Sequence, residues 1–213
     1  MKNLNSIYLS LGSNIGDRTD NLTKAIVELS KKMKIVKSSS IYETEPLLFE
    51  NQNSFLNMIL EVDYKGSPDQ LLESIKIIEN DMGRESTFRY GPRLIDIDII
   101  FFNNYEVIQD NLTIPHYDWK NRLFVIEPLY EVLELELNKS EYKINGQKVL
   151  MAPKSSKINF LNSILINALT FFGFLGSWKI NFQNSLRINA LIHFQENTGG
   201  TYVPTSVSFC QTC

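Results

Sequence analysis

The chain predicts an α+β sandwich with strands and helices in the order βαββαβ. Three observations carry that fold class. Apolar residues alternate or run in short blocks at 7–11, 35–44, 55–64 and 94–102, as strands do. Between the first and second of these blocks, and again between the third and fourth, apolar residues recur at helical spacing. Each helical block also opens on a turn or capping residue.

The elements follow in order. Residues 7–11 form an apolar strand, and Leu22, Ala25, Ile26, Leu29 and Met33 then mark one face of a helix behind Gly16, Asp17 and Thr19. Two extended segments, 35–44 and 55–64, are joined by a loop containing Pro46. Ser67 and Pro68 supply an N-cap and a first-turn proline, and Leu71, Ile75, Ile78 and Met82 mark the buried face of the second helix. Gly83 is placed to end that helix in a left-handed conformation and to deliver Arg84 to the last strand. This order suits a ferredoxin-like sandwich, an antiparallel sheet with helices on one face and the other face free for ligand.

At 213 residues with 43% apolar content, the chain is long enough for one comfortable domain, or for one domain plus a fragment. We place a first domain at 1–140 and a C-terminal extension at 141–213. The net charge of −3 argues against general nucleic-acid binding, so arginine clusters are read as a local site. No charged-then-apolar leader precedes the first strand, and the cytoplasm is the expected compartment. Cys210 and Cys213 form a lone C-x-x-C without the second ligand pair of a zinc site. Between Lys157 and Lys179 lies an uncharged stretch that matches a bilayer by length. Asn159, Asn162 and Asn167 recur along one side of it, which favours a buried or partner-facing amphipathic helix over membrane contact.

The segment RYGPRLIDIDII, Arg89 to Ile100, carries the chemistry. Strand side chains switch faces at each step, so Asp96 and Asp98 share one face while Ile95, Ile97 and Ile99 share the other. Two carboxylates on one face are a protein half-site for magnesium, which takes oxygen ligands and completes its shell with substrate phosphates. Arg84, Arg89 and Arg93 supply counter-charge. A D-x-D pair is also what a solvated strand face looks like. The Gly91-Pro92 turn, which lets Arg89 and Arg93 fold back toward the carboxylates, favours the metal and phosphate reading.

This segment closely resembles the signature of the 6-hydroxymethyl-7,8-dihydropterin pyrophosphokinases of folate biosynthesis. The resemblance extends to YLSLGSNIGDR (Tyr8 to Arg18), SSIYETEP (Ser39 to Pro46), FLNMIL (Phe55 to Leu60) and IPHYDWKNRLFVIEPL (Ile114 to Leu129), in order over about residues 6–135. It implies transfer of pyrophosphate from ATP to the pterin hydroxymethyl group with release of AMP, using two Mg2+ ions held by Asp96 and Asp98. It implies Arg84 and Arg93 as catalytic partners of that pair. It implies ATP contacts from Glu79, Arg84, Arg89, Arg93, Ile99, Leu112, Thr113, His116, Tyr117 and Arg122. Gly12, Thr44, Glu45, Leu47, Phe55, Asn57, Tyr90, Asp96 and Phe124 fall at pterin-pocket positions.

Some positions depart from the family pattern. Glu85, Ser86, Thr87 and Phe88 stand where many members carry more basic residues, Tyr90 where some have tryptophan, and Phe55 where some have tyrosine. Ring stacking survives these exchanges, whereas particular hydrogen bonds do not. His116 is read as a phosphate hydrogen-bond donor, because the only other histidine is His193 and a histidine-rich metal site lacks partners. Glu79 is equally a carboxylate orienting Arg84 or Arg93 or a solvated helix position. Gly12-Ser13-Asn14 lacks the spacing of a phosphate loop and is read as a structural turn near the pterin. Two other activities fit the same residues: a phosphatase or nucleotidyltransferase on the same carboxylate pair, and an inactive pterin-binding or scaffold module.

Overall fold

The computed structural model describes residues 5–46, 51–83, 91–142, 144 and 146–152, and the backbone of 179–181, 189–196 and 202–210. The chain divides into two units, 1–164 and 165–213. The elements of the first run β1 (Ile7–Ser13), α1 (Arg18–Ser30), β2 (Lys34–Ser38), β3 (Tyr42–Thr44), β4 (Phe55–Asp63), α2 (Pro68–Asp81) and β5 (Asp96–Phe102). A short hairpin of β6 (Val107–Ile108) and β7 (Thr113–Ile114) follows, then α3 (Leu123–Leu133) and β8 (Val149–Met151). The main sheet is antiparallel in the order β5-β1-β4-β3-β8, with β2 also pairing with β4.

Local chemistry explains the helix ends. Asp17 accepts a hydrogen bond from the Asp20 backbone N–H, capping α1. Ser67 and Gln70 form a reciprocal capping box over Pro68 at the start of α2. Gly83 takes φ +88°, the left-handed conformation expected after that helix. The segment anticipated as one strand at 35–44 is two strands on β4. Between them Ser39 inserts its own groups: its backbone N–H donates to the Ile59 carbonyl, and its Oγ accepts from the Ile59 N–H.

One face of the sheet is covered by α1 and α2, where Leu22, Ile26, Leu29, Leu71 and Ile75 meet Leu9, Leu11, Met58, Leu60, Ile97 and Ile99. The other face is not wholly free, contrary to the expectation of helices on one face only. There α3 buries Val125, Ile126 and Leu129 against Tyr8, Ile59, Ile100 and Phe101, with Trp119 alongside. Helix α3 is apolar enough to need cover on most sides, and the sheet end carrying Tyr8, Ile59 and Phe101 provides it. Among the described residues, the cavity opens at the opposite end of this face, on Ser10, Gly12, Asn57, Asp96 and Asp98.

A bulge in β5 makes the division possible. Tyr8 pairs with Phe101 and Leu9 with Ile99, so Ile100 is an extra residue. Ile100 and Phe101 both face α3, whereas a regular strand would send them to opposite sides.

In the second unit β9 (Lys179–Asn181), β10 (Asn189–Glu196) and β11 (Tyr202–Cys210) form an antiparallel sheet in the order β11-β10-β9. The helix expected between Lys157 and Lys179 falls outside the described residues, apart from Lys179 itself at the start of β9. Among the described residues, no helix is long and apolar enough to cross a membrane.

Candidate active site

A cavity of about 350 Å³ opens on the free end of the sheet. Its floor is laid by three adjacent strands. Gly12 of β1 stands between Asn57 of β4 and Asp96 of β5, and Ser10 pairs with Asp98. A Cβ at position 12 would lie 2.9 Å from Asn57 Oδ1, so any larger residue there makes that amide shift. The walls come from Thr44, Glu45 and Phe55 on one side and from Gly91, Arg93, His116, Tyr117, Asp118, Arg122 and Phe124 on the other.

The acids sit as alternation anticipated, with Ile95, Ile97 and Ile99 buried beneath them. Each carboxylate has its own cation: Arg93 Nη1 donates to Asp96 Oδ2 at 2.5 Å, and Arg122 Nη1 approaches Asp98 Oδ2 at 3.4 Å. Burial, and then the neighbouring Asp96 charge, push the Asp98 carboxyl up to about 6, against the opposing pull of Arg122 and Arg93. Its side chain is nevertheless 36% exposed, at the cavity surface.

His116 lies 3.9 Å from Asp98 through Nε2. Burial, and then the Arg122 charge, lower its imidazole to about 4, so the ring is neutral at physiological pH. The Asp118 backbone N–H donates to Nδ1 at 3.2 Å. A neutral ring accepting at Nδ1 carries its proton on Nε2, and that N–H donor faces the cavity. Tyr117 stacks on the ring at 4.7 Å and is 68% exposed, which leaves its outer surface available to a flat ligand.

Two buried polar residues hold this geometry from beneath. Glu79 of α2 is fully buried. It accepts from the backbone N–H of Ile97, the residue between the two acids, and from Lys76 Nζ, both at 2.9 Å. Asn14 exchanges reciprocal bonds with Arg93, accepting from its N–H at 2.7 Å and donating its own N–H to the Arg93 carbonyl at 3.0 Å. Its side-chain amide also donates to Gln52 Oε1 and the Asn53 carbonyl.

A family model described as 7,8-dihydro-6-hydroxymethylpterin-pyrophosphokinase (HPPK) matches residues 8–134. The chain belongs to this family. It is 40% identical over 164 residues to the 2-amino-4-hydroxy-6-hydroxymethyldihydropteridine pyrophosphokinase of Bacillus subtilis, an alignment covering 75% of this chain and 98% of that protein. It is 44% identical over 132 residues to the bifunctional protein FolKE of Lactococcus lactis, covering 61% of this chain and 38% of that one. Among solved structures, an HPPK-DHPS in complex with substrates matches at TM-score 0.50 and 18% identity, over 74% of this chain and 46% of that one. That likeness supports the fold.

Within this HPPK fold, the cavity gathers Gly12, Thr44, Glu45, Phe55, Asn57, Arg93, Asp96, Asp98, His116, Tyr117, Arg122 and Phe124 from the residues the sequence singled out. Four others stand apart from it. Glu79 lies beneath the strand, Ile99 and Leu112 are packed in the core under α1 and α2, and Thr113 is in the β6–β7 hairpin. Leu47, Arg84, Arg89 and Tyr90 are outside the described residues. Sequence reasoning passed over Ser10, Gln52 and Asp118, which also line the cavity, and read Gly91 as a turn and not as a lining residue. Ser10 was accessible to it, as a polar residue in phase with Gly12 on an apolar strand.

Proposed function

We infer that the chain transfers the β,γ-pyrophosphoryl group of ATP to the hydroxymethyl oxygen of 6-hydroxymethyl-7,8-dihydropterin, giving AMP and the pterin pyrophosphate for folate synthesis. The observation that carries this reading is the placement of Asp96 and Asp98 on one cavity floor. Cationic and polar donors, Arg93, Arg122 and His116, lie on one side, and an aromatic and amide pocket of Phe55, Asn57 and Thr44 on the other. All of these residues belong to the proposed catalytic domain at 1–140.

The donor set fits magnesium brought in with phosphate. Among the described residues no cluster of three or more acidic, histidine or cysteine side chains could enclose a metal alone. Two carboxylates therefore leave most of an oxygen shell to be filled by triphosphate and water. Asp96 and Asp98 would hold two Mg2+ ions, which when bound supply charge neutralisation on the triphosphate and orientation of the hydroxyl.

The chain's own residues do the remaining work. Arg93 and Arg122 offer guanidinium donors to phosphate oxygens, where charge develops as the bond from the β-phosphorus to the AMP oxygen breaks. His116, neutral with its proton on Nε2, donates to phosphate without adding a charge. The flat heterocycle packs against Phe55 and Phe124, and the Asn57 amide, which donates to Thr44 Oγ1 at 2.8 Å, recognises its polar edge. Fixing both substrates over one floor places hydroxyl and β-phosphorus within reach, the main contribution available in a reaction needing little covalent help.

Incubation with ATP, Mg2+ and the reduced pterin, with adenine nucleotides resolved by chromatography, tests this. AMP formed in step with pterin pyrophosphate is expected. ADP would mean single-phosphoryl transfer, and pterin binding without any nucleotide product would mean an inactive module.

A further inference from the structure

Arg18 opens α1, one residue after the Asp17 cap. A cation in the first helical turn opposes the positive end of the helix dipole, so the position is locally unfavourable and its value lies in distant partners. Those partners are specific. Nη1 donates to Glu43 Oε1 and to the Ser54 carbonyl, each at 2.8 Å. Glu43 immediately precedes Thr44 in β3, and Ser54 immediately precedes Phe55, the first residue of β4. Thr44 and Phe55 pair directly across these strands and both line the cavity. One guanidinium nitrogen thus holds the chain where it leaves β3 and where it enters β4, without itself lining the cavity.

The pair is too exposed to matter much as an ion pair, with side chains 28% and 42% exposed. Its effect is geometric. Fixing the Ser54 carbonyl sets where β4 begins and therefore where the Phe55 ring stands. Fixing Glu43 sets the strand carrying Thr44, which accepts from the Asn57 amide on the floor.

We propose that Arg18 is a positioning residue for the heterocycle, clasping Glu43 and Ser54 so that Thr44 and Phe55 form a fixed wall of the pterin side of the cavity. The inference rests on the pterin reading above. Because Arg18 has no described contact with the Arg93, Asp96, Asp98 and Arg122 group, its influence falls on pterin and leaves ATP untouched.

The test is steady-state kinetics of wild type, Arg18→Ala, Arg18→Lys and Glu43→Gln, varying each substrate at saturation of the other, with Tm measured in parallel. In Arg18→Ala, KM for pterin should rise roughly three- to tenfold, the factor matching loss of a hydrogen bond of ordinary net worth. KM for ATP and kcat should stay within about twofold of wild type, the scatter expected when no contact is lost. Arg18→Lys should recover part of the loss, since an ammonium can donate to both acceptors but its nitrogen sits one bond closer to the backbone than Nη1. Glu43→Gln should fall between, as an oxygen remains for the guanidinium. An unchanged pterin KM, an equal rise in both KM values, or a fall in Tm without any change in pterin KM would overturn the assignment. If wild type forms no AMP, the pterin reading fails and this inference with it. If wild type turns over and the variants match it, only the role of Arg18 fails.

Discussion

Asp98→Asn should raise the Tm of the ligand-free protein at pH 7.5 while removing turnover. In the folded chain the Asp98 carboxyl titrates at about 6, against 3.8 ordinarily, because burial and then Asp96 disfavour its charged form. Between those values the folded chain keeps a proton that the unfolded chain has released, so stability falls as pH rises through the window. Above it the charge is carried at full cost, and below about 3.8 the cost vanishes. Asparagine keeps an acceptor for Arg122 and removes the charge, so its stabilising effect should be present at pH 7.5 and largely gone at pH 4. The same ionisation governs catalysis by the free enzyme: about one Asp98 in eleven is ionised at pH 5, so kcat/KM for ATP should drop roughly tenfold from pH 7.5 to pH 5. In Asp96→Asn the second cause of the shift is gone, and the Asp98 midpoint should move down. Melting in chelator-treated buffer at the two pH values, together with a turnover profile from pH 5 to 8, gives both readouts. A Tm lowered equally at both pH values, or a flat profile from pH 5 to 7.5, would refute the reasoning.

Other substitutions separate binding from stability. Gly12→Ala places a methyl 2.9 Å from Asn57 Oδ1, so the amide must move; pterin KM should rise about tenfold, on the order of one disrupted polar contact, with ATP KM unchanged. A pterin KM within twofold of wild type would show that the amide has room to yield. Glu79→Ala strips the buried Ile97 N–H of its acceptor and should cost about 1–3 kcal/mol before any cavity is counted, read from denaturant unfolding. Glu79→Gln, which keeps an oxygen there, should retain most of that stability, and equal losses in the two variants would contradict the backbone-acceptor role. Glu131 of α3 accepts from Ser40 N–H, Ser40 Oγ and Tyr42 Oη, away from the cavity. Glu131→Ala should therefore lose roughly 1–3 kcal/mol of stability while kcat at saturation stays near wild type, and the reverse pattern would count against it.

Much of this architecture is legible in the residues, where local signals and tertiary demands agree. Asp17, Ser67, Pro68 and Gly83 announce the ends of α1 and α2, and Asp96 and Asp98 announce their shared face by alternation alone. What escaped was set by distance. Helix α3 has no side-chain cap at Arg122 and carries Pro128 inside it, so nothing local marks it; its existence depends on the sheet end it covers. The break between β2 and β3 comes from Ser39 joining the β4 ladder, a bond between residues twenty apart. Glu79 is a polar residue on a helix whose sequence cannot say that its target is a backbone N–H eighteen residues away. Asn14 sits in a recognisable turn, yet its link to Arg93 spans 79 residues.

The extra residue at Ile100 has an implication for transplanting this chemistry. Up to Ile99 the strand presents acid to one side and aliphatic to the other; after the slip, Phe101 faces the way the acids faced. A protein engineer who grafted DIDII onto a regular strand would carry over the carboxylates with the following aromatic turned the wrong way. Deleting Ile100 from this chain would remove the bulge without turning its neighbours, because Phe101 would follow Ile99 directly and still face α3, with Phe102 still in the core; the loss would be the Ile100 side chain beneath α3. The portable unit is thus the D-x-D pair together with its phase change, because a single skipped pairing lets one edge strand serve as reaction floor at one end and as helix bed at the other.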